Sequence, residues 1–139
     1  MRALRIAALS AGLIASSNAL TDEVAVIVNK DNANVIDKRV LIEIYNGQSK
    51  IWRSGGQIQA YDLPDDNPVR AGFCETLLGK SIGNMKALAA QNLFSGKAVP
   101  PKQVASDEDM KRAVSANKGA IGYIKASAAD DSVKVLSVH

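Results

Sequence analysis

Gln57-Ile-Gln-Ala-Tyr-Asp-Leu-Pro-Asp-Asp-Asn-Pro-Val-Arg-Ala-Gly-Phe-Cys-Glu-Thr-Leu-Leu-Gly79 is the stretch whose reading decides the fold. From Gln57 to Leu63 the residues alternate in the manner of a short strand. Pro64, Asp65 and Asp66 then break the pattern, Asn67 has the side chain to cap a helix, and Pro68 suits the first helical position, where its missing N–H costs nothing. Val69, Phe73, Leu77 and Leu78 recur at helical spacing up to Gly79, which predicts the stop. A strand feeding a helix through a polar turn leaves N–H groups and a positive dipole end facing a cleft, which outlines an anion site.

Working outward, Glu23–Asn29 reads as a buried strand, and Asp37 as the cap of a helix carrying Val40, Leu41, Ile44 and Tyr45 and ending at Asn46-Gly47. Trp52, in the connector that follows, is expected to pin that loop to the core. Beyond the central unit, Ser81 opens a helix with Ile82, Met85, Leu88, Ala89 and Leu93 on its apolar face, closed by Phe94-Ser95-Gly96. Pro100-Pro101 cannot continue a helix. Ser106 caps a further helix with Asp107, Glu108 and Asp109 in its first turn, Ala120–Ile124 reads as a strand, and Val133–Leu136 as the last. Strands alternating with helices predict an α/β three-layer sandwich, with helices on both faces of a mixed sheet.

Residues 1–19 have Arg2 and Arg5, a short apolar run and small residues at Ser17 and Ala19, the pattern of a secretory signal peptide cleaved after Ala19. The apolar run is too short to span a membrane, so no integral membrane segment is expected after cleavage. The 120 residues that remain of 139, residues 20–139, suit one domain. Without Arg2 and Arg5 the 17 basic residues fall to 15 against 14 acidic ones, a net +1, and no basic stripe with aromatics marks a nucleic-acid partner. The lone Cys74 reads as a small core residue.

Catalysis is disfavoured. The one histidine, His139, is the last residue, so no ordered Ser/His or Cys/His pair is available, and one Cys with one His makes no metal set. Asp62, Asp65 and Asp66 read as turn caps and solvated charges rather than as an acid/base pair. The chain is expected to be a non-enzyme without a cofactor.

IYNGQSKIW followed by GGQIQ, NPVRAGF, LFSGKAVPPK and SDEDMKRAVSANKGAIGYI occur here in an order that resembles the phosphate ABC transporter substrate-binding proteins, in a short, single-lobe form. The resemblance implies a periplasmic location, one lobe of a type 2 periplasmic binding protein, and phosphate or another small inorganic anion as ligand. In that family the lobe offers an Arg and a Ser-Gly-Thr turn. Here Leu63 stands at the Arg position and Asn67, Pro68 and Val69 at the turn, which leaves Arg70, one turn in, as the nearest cation. The expected ligand-binding set is therefore Leu63, Asn67, Val69 and Arg70, with an affinity of only about 1 mM. The alternative is an interaction protein that keeps the fold without the ligand and docks to a protein partner or as a homodimer through a face exposing Leu63 and Val69.

Overall fold

The computed structural model describes residues 23–138; the signal-peptide reading and His139 lie outside them. Five strands form one mixed sheet: β1 (Val24–Val28), β2 (Gln59–Asp62), β3 (Lys102–Gln103), β4 (Ala120–Lys125) and β5 (Lys134–Leu136), in the order β3-β2-β4-β1-β5. β1 runs antiparallel to β4 and β5, with Val26 opposite Tyr123 and Leu136, whereas β2 is parallel to both β3 and β4. The helices are α1 (Lys38–Tyr45), α2 (Pro68–Gly72), which runs on into a π-helical turn (Phe73–Leu78), α3 (Ile82–Phe94) and α4 (Asp107–Ala116).

The start of each helix is set locally. Asp37, Asn67, Ser81 and Ser106 each accept a backbone N–H from the first turn that follows, as their positions in the sequence predict. Each cap contributes about 1 kcal/mol.

β4 separates the two helical layers, because successive residues of a strand face opposite ways. At Gly122 the strand lies against α4 so closely that an added Cβ would sit 2.4 Å from Met110 Sδ. Tyr123 points to the other side, where its ring stacks on Phe73 with centroids 3.8 Å apart and meets Tyr45 edge-on at 6.3 Å. Helices therefore cover both faces, α4 on one and α1 with the π-helical turn on the other. Trp52 is buried, and its Nε1 donates to the Gly119 carbonyl across 3.0 Å, which ties the connector to the end of β4. Cys74 is buried among these core residues.

α3 departs from the sequence reading. Met85 is buried as predicted, but the other fully buried position is polar: Asn92, whose Nδ2 donates to the Asn46 carbonyl at 2.8 Å. That bond turns the helix so that Leu93, predicted on the core face, is 57% exposed and Phe94 is 96% exposed.

Candidate functional site

β2 and β4 are parallel, so their C-terminal ends, Asp62 and Lys125, lie at one edge of the sheet beside the start of α2. Ligands in open α/β sheets occupy the crevice at such an edge. The anion site expected there is not open. The Asn67 N–H donates to the Pro64 carbonyl at 3.0 Å, Pro68 has no N–H, the Val69 N–H donates to Asn67 Oδ1 at 2.9 Å, and the Arg70 N–H to the Asn67 carbonyl at 3.0 Å. The protein's own groups engage every donor of that first turn.

The four expected ligand-binding residues are also separated. Leu63 is fully buried and is absent from the lining of the clefts beside Asn67, beside Arg70 and between β2 and α3. Its carbonyl accepts from Arg70 Nη1 at 3.2 Å, inside the protein. Arg70 is itself buried, pairs with Asp65 through the same nitrogen, and has Nε 3.6 Å from Asp62 Oδ1. Lys86 Nζ adds a second cation to Asp65 at 2.6 Å. The face expected to expose Leu63 and Val69 is corrected by the same burial, since both side chains are in the core.

Asn67 and Val69 do border a hollow of about 370 Å³, shared with Ser106 at the start of α4. Its charged lining is Glu23, Asp107 and Glu108 against Lys125, an excess of carboxylates that repels phosphate. Asp107 Oδ2 accepts from the Lys125 N–H at 3.2 Å.

Arg70 faces a different cleft, of about 240 Å³, beside Asp62, Cys74 and Lys86. Asp62 was read as a solvated turn charge, but it is largely enclosed. Tyr123 Oη donates to its Oδ1, and the Leu63 N–H donates to both oxygens, at 2.9 Å to Asp62 Oδ1 and 3.2 Å to Tyr123 Oη. Burial raises the Asp62 carboxyl above the usual 3.8, against the opposing pull of the Tyr123 hydrogen bond and Arg70. Burial also raises Cys74, helped by the Asp62 charge, which keeps the thiol protonated and a poor nucleophile. Tyr123 is pushed far up by burial and by Asp62, so it acts as a fixed donor. Among the described residues no group of three or more His, Cys, Asp or Glu side chains is placed to hold a metal ion. No helix there is long and apolar enough to cross a membrane.

A third cleft, of about 660 Å³, runs between β2 and α3 and was missed in the sequence. Ile58 and Ala60 form part of its floor, and Leu93, Val99 and Pro100 border it. The double proline contains the signal: Pro100 and Pro101 have no N–H for a ladder, so β3 pairs only with Tyr61 and Asp62 and leaves the earlier part of the β2 edge uncovered.

The sequence matches no protein-family model and no curated protein. Solved structures do match. An ABC-type phosphate transport receptor from Vibrio cholerae is 25% identical with a TM-score of 0.67, covering 84% of this chain and 46% of the receptor. A phosphate ABC transporter substrate-binding protein with bound phosphate from Clostridium perfringens gives 25% and 0.67, covering 84% and 45%. PstS from Borrelia burgdorferi, at 18% identity and a TM-score of 0.66 over 85% and 47%, shares the fold. The chain thus spans about half the length of the structures it matches. These neighbours are phosphate ABC transporter substrate-binding proteins, the family that the sequence motifs resemble, and the chain has the fold of a single lobe of such a protein.

Proposed function

We propose that the chain is an exported, periplasmic substrate-binding-protein-like module linked to ABC-type phosphate uptake, and not an enzyme. The observation that carries this reading is the fold shared over 84% of the chain with two phosphate-transport proteins at 25% identity. The signal-like residues 1–19 support export. Any phosphate or similar small anion is held only weakly by this lobe, at about 1 mM or above, because Leu63, at the family's Arg position, is buried, Asn67 and Val69 bond to each other at the turn, and Arg70, the nearest cation, is engaged by Asp65. Uptake of radiolabelled phosphate by phosphate-limited cells, with and without the chain, is the test. Uptake falls on its loss if the link holds; unchanged uptake, or a chain retained in the cytoplasmic fraction, contradicts it.

The closed first turn of α2 and the engaged Arg70 favour a second reading, an interaction protein that retains the fold and acts through a protein partner. In that case uptake falls on loss of the chain although the purified chain binds no phosphate.

A further inference from the structure

The 660 Å³ cleft between β2 and α3 has the features of a docking surface. Its lining exposes Ile51 by 62%, Leu93 by 57% and Val99 by 80%, and Phe94, 96% exposed, follows Leu93 directly in the chain. Contiguous exposed apolar surface of this kind marks an interaction site. Three lysines, Lys50, Lys97 and Lys102, stand in the lining, and no carboxylate does. Lys50 Nζ donates to the Lys97 carbonyl, which brings two of the three together. Among the described residues no ion pair forms at Lys50, Lys97 or Lys102, while the carboxylates of the adjoining cleft, Asp62 and Asp65, are engaged by Arg70 and Lys86.

We infer that this surface docks a segment of another protein that presents apolar side chains flanked by Asp or Glu. The inference deepens the second reading above by giving its partner a place and a chemistry. Charge complementarity selects the occupant, because uncompensated lysines around an apolar floor favour an acidic partner and reject a basic one. A small amphipathic acid would fill the cleft but leave Phe94, which is not part of its lining, in water. The chain's own residues 1–19 are apolar but carry Arg2 and Arg5 and no acid, so the rim repels them. A symmetric pair of copies joined through this face would set lysines against lysines.

A random dodecapeptide library selected on the full chain, with counter-selection on a Phe94→Asp/Val99→Asp variant, tests the inference. The expected result is enrichment of sequences that combine Leu, Ile or Phe with Asp or Glu. A synthetic peptide of that consensus then binds about tenfold more weakly to a Lys97→Glu/Lys102→Glu variant. Both lysines are exposed, so that variant folds, and a charge-reversed peptide binds it better than the wild type. No enrichment over the counter-selection, or enriched sequences without acidic residues, overturns the inference. So does a dimer in sedimentation that Phe94→Asp dissolves, or saturable binding of octanoate at the same face without binding of the peptide. None of these outcomes depends on phosphate uptake, so the uptake result separately decides the transport link.

Discussion

Arg70 Nη1 donates to the carbonyl of Leu63 across 3.2 Å, so two residues expected to frame an anion site instead meet inside the protein. The same nitrogen pairs with Asp65, and Asp62 lies beside Nε. The guanidinium therefore fastens the turn between β2 and α2 and has little left to offer a ligand. Arg70 Nε is left without a hydrogen-bond partner, so the cluster holds through Nη1 and through charge, and removing one member leaves a desolvated charge behind.

Arg70→Ala is expected to lower stability by about 3 kcal/mol, because Asp62 stays enclosed without its cation. Urea denaturation measures the loss. If Arg70 served a ligand rather than the fold, the unfolding midpoint would hardly move and only phosphate affinity would change.

Leu63→Ala is expected to cost about 2–5 kcal/mol, as for a fully buried leucine. Leu63→Arg places a charge in the core and destabilises more, without conferring phosphate binding. Thermal melts of both variants with and without phosphate check this; a well-folded Leu63→Arg that binds phosphate contradicts the burial.

The helix starts and the alternation of strands and helices were legible in the sequence because they depend on neighbours. Asp37, Asn67, Ser81 and Ser106 cap within three residues of themselves. The fate of the candidate site was not legible, because it depends on contacts between distant parts of the chain. Tyr123 reaches Asp62 from 61 positions away, and Asn92 reaches the Asn46 carbonyl from 46. The second of these contacts places Asn92 inward beside Met85, so that Leu93, the next residue, faces out against its apolar character. Leu63 did carry a signal: it continues the alternation of Tyr61 into the turn, and a strand's apolar side is usually buried.

The GAIGY run has a steric reading. A Cβ at Gly119 would lie 2.2 Å from the Gln57 carbonyl oxygen, and one at Gly122 would press on the buried Met110. Gly119→Ala forces backbone apart where Trp52 Nε1 and the Gln59 N–H both bond to the Gly119 carbonyl. Each substitution is expected to cost about 1–3 kcal/mol, Gly119→Ala the more because a backbone atom cannot swing aside as a methionine does. Equilibrium unfolding of the pair checks the order, and equal stability with wild type contradicts it.

Stability should depend on pH through two carboxylates of opposite sign. Asp130 is held well below 3.8 by hydrogen bonds from Ser132 and from Lys111, so it contributes stability above its unfolded value that is lost as pH falls. Asp62 is raised above 3.8 by burial, so its contribution is greatest when protonated and declines as pH rises from 3.8 through its folded value. Unfolding midpoints from pH 3 to 7 are expected to show a flatter acid limb in Asp130→Asn and a smaller decline towards neutrality in Asp62→Asn. The reverse assignment would contradict the two environments.

Calorimetric titration of the purified chain with phosphate at low ionic strength tests the central claim most directly. With Arg70 bound to Asp65 and the first turn of α2 closed on itself, no saturable binding tighter than about 1 mM is expected. A micromolar dissociation constant that Arg70→Ala abolishes would contradict it.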